Sequence, residues 1–170
     1  MGHWNEISEE VDVLENLKEC NPHYEEGEEW QVNCQRCVPT FEMRCRGYDV
    51  TAMPKENAGD ELSYHPFSVW ENPKVEECAG DGETDIQTKM KEWGDGARAQ
   101  VVVIWKNTSS GHTFFAEQVG EETRFYDPQT GEADVAYYFQ MAESDSVQVC
   151  RIDELKPSEK ILDCCKGVEA

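Results

Sequence analysis

The sequence predicts an α+β fold with N-terminal helices packed on an antiparallel β-sheet. Apolar residues at helical spacing dominate the first part of the chain, as in Cys37, Phe41 and Cys45. From Ala99 onward, strand-like runs follow one another with only turn signals between them. Helices first and a meander of strands afterwards is the order of an α+β fold. The 170 residues suffice for one core and would crowd two, so residues 1–170 are read as a single domain. Apolar residues make up 38% with aromatics among them, which argues against a disordered chain.

Ile7, Val11, Leu14 and Leu17 predict a first helix over about residues 5–20, with Ser8, Glu9 and Glu10 suited to its N-terminus. Asn21-Pro22 ends it, and an irregular acidic stretch runs to Trp30. A second helix starts at Asn33 as N-cap and ends at Gly47, with Cys37, Phe41 and Cys45 on one face. Pro39 lies inside it, removes one backbone bond and should kink it. Tyr48 to Ala52 reads as a short strand. Residues 55–83, polar and rich in Gly, Asn and Pro, read as a long loop. Ile86, Met90 and Trp93 mark a short helix closed by Gly94-Asp95-Gly96. Ala99–Trp105, with its Val-Val-Val-Ile run, is a buried strand. His112–Val119 and Glu122–Tyr126 are two more, joined at Gly120. The turn Asp127-Pro128-Gln129-Thr130-Gly131, a short helix over 132–141 and a strand from Val147 to Ile152 complete the core.

The net charge of −21 leaves little basis for a phosphate-neutralising surface, so nucleic acid is not an expected partner. Anionic membrane is disfavoured for the same reason, and no apolar run approaches the ~18 residues of a membrane span. The acidic N-terminal segment is unlike a secretory signal. The eight cysteines fall in apolar-periodic segments as often as in loops and are read mostly as reduced thiols. The expected location is therefore cytoplasmic as expressed.

Cys34 falls at the start of the second helix, where backbone N–H groups and the helix dipole favour a thiolate. A cysteine hydrolase also needs a base and a group to orient it. Of the four histidines, His112 alone opens a strand of the meander, and the next strand ends in Asp127. In a hairpin those two positions lie side by side. Cys34, His112 and Asp127 are thus the candidate catalytic residues. Cys34 and Cys37 also form a C-x-x-C pair, which leaves open half a zinc site or a redox dithiol. Cys164-Cys165 is poorly spaced as a second zinc pair, and no parallel α/β alternation follows the motif as a redox fold requires.

The run from Asn33-Cys34 through Arg46-Gly47-Tyr48 to Ala52 resembles the opening of the papain-fold toxin domain, also called the toxin glutamine deamidase domain. Gly111-His112-Thr113-Phe114-Phe115 and Tyr126-Asp127-Pro128-Gln129-Thr130-Gly131 resemble its second block, in the same order. The resemblance covers about residues 30–152 and implies a papain-like cysteine hydrolase fold. By motif position it implies a Cys34–His112–Asp127 triad, with no cofactor and no metal. It further implies deamidation of a protein glutamine side chain through a thioester, in a bacterial effector or toxin. Similar domains are attached to phage head-morphogenesis proteins and polymorphic toxins. Delivery inside a larger secreted or phage protein, and an immunity or carrier protein as companion, are therefore compatible. In this reading the oxyanion is held by the Cys34 N–H with Gln31 or Asn33, and Gln129 replaces or assists Asp127 in orienting the histidine. A papain-like protease or isopeptidase, or a non-catalytic papain-fold module of a phage head or toxin complex, remain the alternatives.

Overall fold

The computed structural model describes residues 3–57 and 59–167. Its first helix, α1, is Val13–Cys20 and starts later than the apolar pattern predicts. Asp12 caps it, accepting the Glu15 N–H at 2.9 Å, so a first-turn donor is satisfied there and not at Ser8. Ile7 lies ahead of the helix because its N–H is drawn to the Gly47 carbonyl, while Glu6 pairs with Tyr48. Leu17 is fully buried but Leu14 is 54% exposed, so the predicted face is not the packed one.

The second helix, α2, is Cys34–Cys45 and runs through Pro39. Proline inside a helix costs about 3 kcal/mol. Burying Val38, Phe41 and Met43 offsets that at roughly 1.5–3 kcal/mol apiece. Every residue from Gln35 to Arg44 is buried, so α2 is a central helix and not one with a single packed face. Asn33 is the N-cap, as the sequence predicts, but its side chain makes no capping bond. Its carbonyl accepts the Arg36 and Cys37 N–H groups, and its amide turns inward. Gly47 ends the helix as predicted, at φ +99°, a backbone region that glycine enters without a Cβ clash.

After β1, Val50–Ala52, the stretch read as loop contains real elements. These are α3, Glu61–Tyr64, capped by Asp60, a 3₁₀ turn at Pro66–Val69, and β2, Val75–Glu77. Each is too short to show a period, which is why the sequence hides them. The helix α4, Glu83–Trp93, and the strands β3, Arg98–Ile104, β4, Gly111–Val119, and β5, Glu122–Tyr126, follow the prediction closely. The expected helix over 132–141 is a 3₁₀ segment, Ala136–Met141. Beyond β6, Gln148–Arg151, come two unpredicted elements, α5, Ile161–Cys164, and β7, Cys165–Gly167. The latter pairs with β1 as a small antiparallel sheet.

The main sheet has the antiparallel order β2-β6-β3-β4-β5. Alternation along its strands sends side chains to two cores. Phe115, Tyr126 and Cys150 pack with Phe41 and Val38 of α2, the Phe41 and Phe115 rings lying 4.8 Å apart edge to face. Phe114, Val101, Val103 and Phe125 pack on the opposite face with Ile86 and Met90 of α4 and with Phe139. One buried carboxylate ties α2 to the sheet. Glu42, fully buried, accepts from Arg98 Nε at 2.6 Å and Nη2 at 2.9 Å, and from Arg46 Nε at 2.7 Å.

The strand lengths place the site. β4 pairs with β5 from Phe115 to Val119, so Gly111–Phe114 runs on past the end of β5. One further step of the same register sets Asp127 against Phe114, on the face that also carries His112. The start of α2 reaches this uncovered edge.

Candidate functional site

Cys34 is the first residue of α2 and is half-buried. Among the described residues its backbone N–H has no backbone acceptor, the usual state of a first-turn donor. The thiol meets the His112 imidazole and the Thr113 N–H on the uncovered edge of β4. Burial pushes the thiol up, but the charge and hydrogen bond of His112, together with the Thr113 N–H, outweigh it and hold Cys34 below the ordinary thiol value. The other seven cysteines go the opposite way. Burial lifts Cys20, Cys37, Cys45, Cys78, Cys150, Cys164 and Cys165 above the ordinary value.

His112 opens β4 and donates from Nε2 to Asp127 Oδ2 at 2.9 Å, which leaves Nδ1 for the thiol. Burial favours its neutral form, but the Cys34 charge and the Asp127 hydrogen bond win and raise it to about 10. Asp127 is fully buried. Burial alone would raise it, yet His112, the Tyr138 hydroxyl at 2.6 Å and the Gln129 N–H at 2.9 Å hold its carboxyl below the usual range. Its turn closes where the Gly131 N–H bonds the Asp127 carbonyl at 2.8 Å, with Gly131 at φ +86°. The three residues thus form a chain of thiol, imidazole and carboxylate whose mutual charges favour the thiolate–imidazolium form.

The structure brings Cys34, His112 and Asp127 together; the remaining candidates are placed differently. Gln129 supports Asp127 through its backbone N–H, and the carboxylate, not the Gln129 side chain, holds the orienting position. Asn33 spends both amide hydrogens, on Asn21 Oδ1 and on the Met53 carbonyl, each at 3.1 Å, and has none left for an oxyanion. Gln31 is exposed and sends its Nε2 to the Tyr24 carbonyl at 2.9 Å. Cys37, one turn along α2, is fully buried behind Cys34. Among the described residues no group of three or more His, Cys, Asp or Glu side chains gathers as a metal site.

Two aromatic residues of the site escaped the sequence reading. Trp105 stacks on the His112 ring, centroids 5.7 Å apart at 23°. Tyr138 stands edge-on to both, 5.4 Å from Trp105 and 5.6 Å from His112, while its hydroxyl holds Asp127. Burial and the Asp127 charge push that hydroxyl up, so it stays a donor. Trp105 directly follows β3 and bridges to Ala142, ahead of the turn that leads to His112. Tyr138 lies in the 3₁₀ segment Ala136–Met141, within the stretch predicted as a short helix.

A thiolate beside a protonated imidazole can attack an acyl carbon and then protonate the departing group. This chemistry agrees with what the sequence matches. Among curated proteins none matches the chain. The family model for papain fold toxin 1, glutamine deamidase, matches residues 32–132, a span holding Cys34, His112 and Asp127 and more than half of the chain. The chain therefore belongs to the papain fold toxin 1, glutamine deamidase family, and its helices and antiparallel sheets are a papain-like α+β fold.

Proposed function

We propose that the protein deamidates a glutamine side chain of a protein substrate, with Cys34 as nucleophile, His112 as acid and base, and Asp127 as the group that orients His112. The observation that carries this reading is the convergence of three side chains: Cys34 opens α2 beside His112, and His112 Nε2 lies 2.9 Å from Asp127 Oδ2, an arrangement that lowers Cys34 while burial raises the other seven thiols. Family membership supplies the carboxamide as the group attacked.

The Cys34 thiolate attacks the carboxamide carbon, forming a C–S bond and moving the carbonyl pair onto oxygen. The Cys34 N–H at the start of α2 is the donor for that oxyanion. As the tetrahedral centre collapses, the C–N bond breaks and His112 delivers its Nδ1 proton to the leaving nitrogen. Ammonia departs and a thioester remains. Neutral His112 then takes a proton from water, hydroxide attacks the thioester, and glutamate leaves with the thiolate restored. Asp127 stays ionised and fixes the ring through Nε2.

The test exposes a mixed-protein extract to the enzyme in ¹⁸O-enriched water and reads peptide masses after digestion. Glutamines converted by the enzyme gain about three daltons, one from deamidation and two from the label, with backbones intact. New chain ends in place of converted glutamines would establish a protease or isopeptidase instead.

A further inference from the structure

We propose that Asn21 is a positioning residue that sets the separation between the start of α2 and the Asp127 turn. Asn21 ends α1, is 5% exposed, and uses all its amide atoms. Its Nδ2 donates to the Trp30 carbonyl at 3.0 Å and to the Gln129 carbonyl at 2.9 Å. Its Oδ1 accepts from Asn33 Nδ2 at 3.1 Å. Asn33 is the residue before Cys34, and the Gln129 N–H is a donor to Asp127 Oδ1 at 2.9 Å. The path Cys34–Asn33–Asn21–Gln129–Asp127–His112 therefore returns to Cys34 as a closed ring.

A ring of this kind resists change at either end. A buried amide with both hydrogens and its oxygen engaged is stiff, and its partners are costly to leave unpaired. The position requires two donors and one acceptor on one short planar group, which asparagine supplies and aspartate does not. The helix bearing Asn21 is itself anchored on α2, where Leu17 and Cys20 are fully buried and Cys20 Sγ meets the Cys37 carbonyl at 3.3 Å. Asn21 also lies ahead of the residues 32–132 that match the family, so the segment upstream of the match completes the site.

The inference rests on the reading of Cys34 as nucleophile but not on the identity of the substrate, so its test needs none. The full chain is alkylated with iodoacetamide across pH, occupancy of Cys34 is read by mass, and thermal melts are recorded alongside. The variants are Asn21→Ala and Asn21→Asp, the second keeping size and the acceptor while losing both donors. Asn16→Ala is the control, since Asn16 lies on the same helix and accepts from Arg44 Nε at 2.7 Å, at the far end of α2 from Cys34. Both Asn21 variants should move the alkylation midpoint to higher pH. The neutral-pH rate should fall about tenfold for each unit of that move. Asn16→Ala should lower the melt and leave the profile in place. An unmoved profile in a folded Asn21→Asp protein overturns the inference. A wild-type Cys34 no more reactive than an ordinary thiol overturns the catalytic reading itself, and this inference with it.

Discussion

Cys34→Ala is expected to lower kcat by at least about 10⁴-fold, the scale on which removal of a covalent nucleophile acts. No neighbouring thiol can stand in. Cys37 is fully buried, and its burial keeps it protonated. The fold should not respond, because Cys34 is half-buried and its backbone role at the start of α2 survives the substitution. Ammonia release under single-turnover conditions reads the loss, and a thermal melt confirms the fold. Asp127→Asn should retain more, losing about 10²–10⁴-fold, because the geometry persists while the orienting charge is gone. An active Cys34→Ala protein would place the reaction on another residue.

Glu42→Ala is expected to cost about 3–5 kcal/mol of stability, the penalty for leaving buried charges without a partner. Glu42 holds two guanidinium groups, Arg98 from β3 and Arg46 from the end of α2, and both are largely shielded from water. For a chain of this size the melt should fall by roughly 6–20 °C. Lys160 and Glu61 make a contact of similar length on the surface, and Glu61→Ala should leave the melt where it is. The comparison separates a buried junction from an exposed ion pair, and a calorimetric melt of both variants measures it.

The placement of the candidate site was more legible in the sequence than the chain around it, for physical reasons. Cys34 could be read because a helix start and a glycine end bracket α2, whose apolar spacing is regular over three turns. His112 and Asp127 could be read because hairpin geometry is nearly determined by its turns, and β4 and β5 have their predicted bounds to within a residue. Asn33 holds the N-cap position that its propensity predicts, but its side chain answers to Asn21 and Met53 and not to the helix N–H groups. The first helix was overextended because Ile7 and Val11 happen to match its period, although the backbone at Ile7 pairs with Gly47. Asn21 and Tyr138 act across 108 and 11 residues of chain, to Gln129 and Asp127 respectively. No local pattern in a single sequence reports such contacts. The same holds for β7, whose partner β1 lies more than a hundred residues earlier.

His112 holds the Cys34 thiol below the ordinary thiol value, and Cys34 in turn raises His112. Burial opposes the charged form of each, and their mutual attraction, with Asp127 behind His112, prevails. The pair titrates as a unit, so protons enter and leave it in two steps. As pH rises from acid, Cys34 loses its proton before an ordinary thiol would, and turnover increases. As pH rises through about 10, His112 loses its proton and turnover falls, because nothing then protonates the leaving nitrogen. Alkylation requires only the thiolate and should not fall on that limb. The most direct measurement is the pH dependence of iodoacetamide labelling at Cys34, in the wild type and in His112→Ala. The wild-type midpoint should lie below 9.0, the ordinary thiol value, and should move above it when His112 is removed. A wild-type midpoint at or above 9.0, or one that His112→Ala leaves unmoved, would contradict this pairing of Cys34 with His112.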